Sequence, residues 1–376
     1  MLHSTLLRSL PLAAAAAFSA ASFAAAAPPD LPPGPAAAAD AAPGPVVFAP
    51  APGEDCADAL QALIDAHPNR TIRIPDGVYV LSHPVATPAS PKRAVSLRLD
   101  DFAVLKAAPD WAHTNAMIRL GGSHPANDNA SIGSLYGLYG GYIDGSGVAD
   151  GVSIESGRET RIQNTSIRNV RIGIRVFWGA NGGSADCDIR DVNLVGNNRP
   201  DSIGLLVQAF DNSFTNMRIF AFCKGVKIEG GGNLFCNVHP LVSWDLIHSC
   251  YDDTVGFWDL ENNNTYDRCY ADAFSTGWLF GPKSKNAVLH APMCYWYAST
   301  PGHPHTVLRC EGAFRALVTD LWAGFRDDKA TNAVLLVGEP GGHGFLDGIR
   351  GLRDDSPALN NPSDVFRDYL RGSLHW

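Results

Sequence analysis

One short pattern recurs along the middle of the chain and limits what it can fold into. A glycine is followed by an apolar residue, any residue, an apolar residue, and then an asparagine eight positions after the glycine. It reads Gly173-Ile174-Arg175-Val176 with Asn181, Gly204-Leu205-Leu206-Val207 with Asn212, and Gly225-Val226-Lys227-Ile228 with Asn233. Gly256-Phe257-Trp258-Asp259 with Asn264 is a fourth copy, with an acid in place of the second apolar residue. Gly151-Val152-Ser153-Ile154 and Gly277-Trp278-Leu279-Phe280 are partial copies, and the glycine-to-glycine steps are 22, 31, 21, 31 and 21 residues. A second apolar column runs through Ile167, Leu194, Ile219, Leu241, Tyr270, Met293, Leu321 and Ile349, in steps of 22 to 29.

Such steps are too short for propeller blades, which take about 40 residues each, and the leucine/asparagine signature of leucine-rich repeats is missing. They fit a parallel β-helix, in which every coil adds short strands separated by turns. The glycine is expected to let the chain turn tightly. The asparagine is expected to bond backbone at left-handed corners and to stack into a ladder along the axis. Unequal coil lengths mark insertions on one face, which in repeat folds is often the binding face.

Composition agrees. With 18% charged residues and 37 Gly, this is no long-helix protein, and a net charge of -9 without a basic run argues against nucleic-acid binding. Met1 to Ala27 reads as an export signal: Arg8, an Ala-rich apolar stretch too short to span a bilayer, then small residues. Pro28 to Pro52 reads as an extended Pro/Ala linker, leaving residues 53–376 as one domain in a secreted or periplasmic protein without membrane insertion. The eight cysteines show no CxxC and no zinc spacing. Most are expected as small core residues; export also permits the alternative of one or two bridges among the cysteines of the stretch from Cys223 to Cys294.

A β-helix needs covered ends. Ala57 to Ala66 carries apolar residues at helical spacing and predicts an N-terminal capping helix; Ser363 to Leu370 predicts a short C-terminal one. The opening segment, Asp55-Cys56-Ala57-Asp58-Ala59-Leu60 and onward to Ala66, followed by Thr71-Ile72-Arg73-Ile74-Pro75-Asp76-Gly77-Val78-Tyr79, resembles the start of pectate-lyase-like, or rhamnogalacturonase/epimerase-like, proteins. That resemblance implies a right-handed parallel β-helix. It does not choose among the hydrolases, lyases, epimerases and tailspikes built on that fold.

Charge is unevenly placed. Seven arginines and four acids lie between Arg158 and Arg199; seven acids, one base and many aromatics lie between Asp245 and Asp272. Acids between aromatic platforms suit sugars, whose apolar faces stack on rings. The repeat places Arg175 and Phe177, and Lys227 and Glu229, outward. Strict register would bury Asp259, at a cost. A one-residue shift or bulge would instead turn Phe257, Asp259 and Glu261 outward and set Asp259 beside Glu229 as a carboxylate pair. Catalysis is therefore expected of Asp259, Glu229, Glu261 and Lys227, and substrate contact of Arg175, Phe177, Phe257, Trp258, Tyr266 and Trp278. No cofactor is expected; Ca²⁺ on Asp252, Asp253 and Asp259 is the one metal considered, and no compact calcium loop supports it.

Polygalacturonase-type motifs are not assembled. Asp252-Asp253 and Gly342-His343-Gly344 stand 90 residues apart, and Trp244 to His248 only faintly matches a pectate-lyase element. The reading is a secreted enzyme hydrolysing a polysaccharide partner through a carboxylate pair. The alternatives are a lyase or epimerase using Lys227 and Arg175 on a uronate glycan, and a non-catalytic, tailspike-like homotrimer that binds glycan.

Overall fold

The computed structural model describes residues 44, 46–51, 54–88, 90, 93–123, 137–179, 183–296, 305–311, 315–325, 334–337 and 345–350. The segment expected to be an export signal, Asn181, the Gly342-His343-Gly344 segment and the expected C-terminal helix lie outside them. Among the described residues, no helix is long and apolar enough to cross a membrane.

Asp55 starts the first helix, α1 (Cys56–Ala66), by accepting the orphan N–H groups of Ala57 and Asp58 at 2.8 and 3.2 Å. Ala57, Leu60 and Ile64 form its buried face, so it covers the first coils as expected. The linker ends earlier than expected. Val46–Val47 runs parallel to Arg70–Ile74, and Phe48 packs its ring 5.1 Å from that of Tyr79. Two alternating apolar residues, Val46 and Phe48, suffice to dock this segment as a strand.

The described strands build a right-handed parallel β-helix. Each central coil gives one short strand to a ten-stranded sheet and a long, bent strand or strand pair to an eighteen-stranded sheet. The ten-stranded sheet keeps the repeat's register: Ile174, Leu205, Val226, Phe257 and Trp278 form one inward column, and Val176, Val207, Ile228, Asp259 and Phe280 another. The long strands bend where one residue takes left-handed backbone, at Asn169, Asp191, Asn216 and Asn237. Asparagine and aspartate tolerate that conformation better than most residues.

Three expectations change. The second apolar column does not run through Leu241, Tyr270 and Met293. Ile219 pairs with Pro240, and the inward column continues through Ala271 and Cys294. A one-residue offset moves a side chain to the other face, so Leu241, Tyr270 and Met293 point out.

The repeat glycines do not serve a left-handed turn, since none of the six has positive φ. They are needed for close approach. A Cβ on Gly204 would stand 2.6 Å from the carbonyl oxygen of Gly225, and one on Gly225 would stand 2.6 Å from that of Gly256. The backbones of successive coils meet too closely there for any side chain.

The ladder asparagines are likewise not at left-handed corners. They form a buried ladder. The Cys187 N–H donates to Asn212 Oδ1, the Asn212 N–H to Asn233 Oδ1, and the Asn233 N–H to Asn264 Oδ1, each at 3.0 Å.

The acid-and-aromatic stretch also holds a helix that periodicity did not predict, α2 (Trp244–Cys250). It is capped by Ser243 Oγ, which accepts the Leu246 N–H at 3.3 Å.

Candidate functional site

The outward positions of the ten-stranded sheet bring several of the expected residues onto one surface. Arg175 Nε donates to Gln208 Oε1 at 2.7 Å, and Gln208 Nε2 donates to Glu229 Oε2 at 2.6 Å. Lys227 Nζ pairs with Glu229 Oε1 at 2.6 Å and stands 4.8 Å from the Trp258 ring centre. The Arg175 guanidinium lies 4.1 Å from the Phe177 ring centre. Strand register explains the chain of contacts: Arg175, Leu206, Lys227 and Trp258 are successive partners, as are Phe177 and Gln208. Coils rise about 4.8 Å, within reach of such side chains.

Glu229 is half-buried, which alone would raise its pKa. Hydrogen bonds from Lys227 and Gln208, with Arg175 nearby, outweigh that and hold its carboxyl below the usual glutamate range. It is an ionised group on this face.

Asp259 is not on this face. No bulge occurs: Ile228 pairs with Asp259 in unbroken register, and Asp259 points into the core with 1% of its surface exposed. Its carboxylate accepts from Asn264 Nδ2 at 3.0 Å, from the Glu261 N–H at 3.0 Å and from Tyr266 Oη at 2.8 Å. These donors offset part of the cost that made an inward carboxylate unattractive. Asp259 and Glu229 lie on opposite sides of the sheet and do not form a facing pair. The Ca²⁺ set fails for the same reason: Asp259 is inside, while Asp252 and Asp253 are exposed.

Glu261 sits in the turn beyond the strand, its carboxylate 4.0 Å from Lys283 Nζ, off the row. Phe257, Tyr266 and Trp278 are not sugar platforms, since all three are fully buried. Phe257 stacks on Trp278 at 4.9 Å, and Tyr266 continues a Phe214–Phe235 stack at 5.1 Å. The core uses these rings as coil-to-coil contacts. The arginine-rich stretch is largely spent on ion pairs, Arg158 with Asp186 and Arg171 with Asp150, both at 2.7 Å.

Two aromatics of this surface were missed. Trp178 is 58% exposed and Phe210 43% exposed, with their rings 6.3 Å apart in a T-shaped contact. Each continues an outward strand end, Trp178 directly after Phe177 and Phe210 two residues after Gln208. Extending the alternation two residues past Gln208 would have found Phe210. Arg119 and Glu155 were also missed; they form a two-point ion pair at 2.8 Å that bridges the two preceding coils of the same sheet. A metal cluster is geometrically possible only at Asp55, Asp58 and His83 among the described residues. There Asp55 already caps α1, and His83 Nε2 is paired with Asp58 at 2.9 Å.

No family model and no curated protein matches the sequence. Solved structures do match in fold. A Geobacillus virus E2 protein, ORF18, aligns with a TM-score of 0.60 at 13% identity, over 80% of this chain and 59% of its own. An endo-xylogalacturonan hydrolase from Aspergillus tubingensis aligns at 0.52 and 11% identity, over 85% of this chain and all of its own. The tailspike of E. coli bacteriophage HK620, solved with a hexasaccharide, aligns at 0.51 and 14% identity, over 81% and 65%. This chain thus spans less than two thirds of the two phage proteins. The neighbours are pectin-lyase-like parallel β-helix proteins, the fold that the opening segment resembles.

Proposed function

We propose that the chain is an exported, carbohydrate-active β-helix protein that holds a polysaccharide across the outer face of the ten-stranded sheet. One observation carries this reading: the hydrogen-bonded series Arg175, Gln208, Glu229 and Lys227, bordered by the Phe177, Trp258, Trp178 and Phe210 rings. A pyranose offers hydroxyls at its edge and apolar C–H groups on its faces. Planar polar groups match the first and aromatic rings the second. The fold neighbours lend support, since one is solved with a hexasaccharide and another is named for hydrolysing xylogalacturonan.

The test starts from a glycan panel that identifies a bound polysaccharide. Trp178→Ala and Arg175→Ala are then expected to weaken its binding at least tenfold each, about 1.4 kcal/mol, with the thermal midpoint unchanged. Binding of no glycan by the intact protein, or wild-type affinity in both variants, would overturn the proposal.

Cleavage is a second reading, and Glu229 carries it: an ionised carboxylate beside a lysine is equipped to act as base or nucleophile. Release of reducing ends without absorbance near 235 nm marks hydrolysis, whereas both signals together mark elimination. Glu229→Gln is expected to slow cleavage about 100-fold or more. A rate within threefold of wild type sinks the role of Glu229 and leaves glycan holding intact.

A further inference from the structure

Cys223 and Cys250 are the one pair of cysteine sulfurs in contact among the described residues, with Sγ atoms 4.0 Å apart. We infer that this pair is a disulfide site that ties α2 to the wall of the β-helix when the protein is oxidised.

The two residues differ in how firmly they are held. Cys223 is fully buried just before the strand Lys224–Ile228; its N–H donates to Ser202 Oγ at 3.0 Å, and its carbonyl accepts the Val255 N–H at 3.0 Å. It belongs to the ladder of coils. Cys250 ends α2, an excursion between the strands Leu234–Leu241 and Val255–Asp259, and is partly exposed. A disulfide has sulfurs about 2.05 Å apart, so the pair must close by about 2 Å. Side-chain rotation and a small shift of the helix end supply that, because Cys250 lies outside the regular wall.

The exposed thiol reacts first. The Cys250 thiolate attacks one sulfur of a small disulfide, such as glutathione disulfide, and one small thiolate leaves. The Cys223 thiolate then attacks the Cys250 sulfur of the mixed disulfide and expels the second. Two protein thiols lose two protons and two electrons, and the small disulfide takes them up as two thiols. Burial pushes the Cys223 thiol up to about 11, and the Lys224 ammonium 3.5 Å from its Sγ offsets only part of that, so the second step is the slow one and speeds up as pH rises. The link closes a loop across 27 positions and fixes the excursion that bears the exposed Trp244 and leads into the strand carrying Trp258.

The experiment incubates the full chain with glutathione disulfide, unfolds it in guanidinium with iodoacetamide, and maps the peptides without reduction. The expected map shows six alkylated cysteines of the eight and one linked peptide pair, Cys223 with Cys250. In Cys250→Ser that pair vanishes and Cys223 is alkylated. Reduction is expected to lower the thermal midpoint of the oxidised protein by about 5 °C and to leave that of Cys250→Ser unmoved. Alkylation of all eight cysteines after oxidation, or a link from Cys223 to another cysteine, overturns the assignment. An equal fall in midpoint for both proteins overturns the tie as a stabilising link.

Discussion

Asn233→Ala is expected to remove about 4 kcal/mol of folding stability, read as a lower urea midpoint with an unchanged slope. Asn233 is the middle rung of the buried ladder. Its Oδ1 accepts from both the N–H and the Nδ2 of Asn212, at 3.0 and 3.2 Å. Its Nδ2 donates to the carbonyls of Ala209, Gly230 and Gly231 and to Asn264 Oδ1, at 3.0 to 3.3 Å. Alanine would leave the Asn212 donors and several carbonyls without partners, in a place water does not reach. Each orphaned buried group costs about 1–3 kcal/mol, and neighbouring rungs relax to recover part of the sum. Asn237→Ala is the control. Asn237 is an exposed corner residue at φ 52° whose Nδ2 donates to Asn216 Oδ1 at 3.0 Å, so alanine there costs about 1 kcal/mol of backbone conformation. Equal losses in the two variants would show that the ladder does not hold the coils together.

The repeat made that ladder legible before any coordinates. An asparagine at a fixed offset from a glycine, in steps of 21 and 31 residues, can align side chains only if successive coils stack in register. What it did not reveal was the physical reason for the glycine. A sequence does not say whether a small residue serves φ or clearance, and here the neighbouring carbonyl at 2.6 Å decides for clearance. The candidate site was legible where alternation alone fixed the face, as at Arg175, Phe177, Lys227 and Glu229, whereas Trp258 faces out by the strict register that the expected shift would have reversed. It failed where residue type was allowed to override alternation. Phe257, Tyr266 and Trp278 looked like sugar platforms by their chemistry, yet register puts Phe257 in line with Val226 and Trp278 in line with Phe257. The Cys223–Cys250 contact was not legible, because α2 intervenes and nothing in the repeat fixes the path of an insertion.

The same override misplaced Asp259. A buried carboxylate looked too costly because its donors could not be seen. They come from five and seven residues further on, Asn264 and Tyr266, and from the backbone of Glu261. The sixth copy of the repeat has Lys285 where an asparagine would continue the ladder, so Asn264 turns its amide to Asp259 instead. Burial still dominates: it pushes the Asp259 carboxyl up to about 6, against those hydrogen bonds.

The stability consequence has a definite sign. The folded protein keeps this proton up to about pH 6, whereas the unfolded chain releases it near the reference value of 3.8. Between those values the folded state binds more protons, so stability falls as pH rises, by about 3 kcal/mol in all from this group. Asp150, raised chiefly by burial, acts in the same direction. Asp55, Asp100, Asp201, Glu229 and Asp267 are lowered and act in the opposite one. The expected signal is therefore a difference. Urea midpoints of the wild type and of Asp259→Asn, measured from pH 4 to pH 7.5, should diverge progressively in favour of the variant. Asparagine keeps an acceptor for Asn264 and carries no charge, and the Tyr266 hydroxyl can rotate to accept from its amide. Asp259→Ala removes every acceptor and should be less stable than either across the range. Parallel pH profiles for wild type and Asp259→Asn would show that the buried carboxylate is not the titrating group. Glycan binding and any cleavage by Asp259→Asn should stay within threefold of wild type, because the residue faces the core. A 100-fold loss of cleavage in a variant that still folds would instead return Asp259 to the reaction, and with it a route from the core to the outer face that the strand register denies.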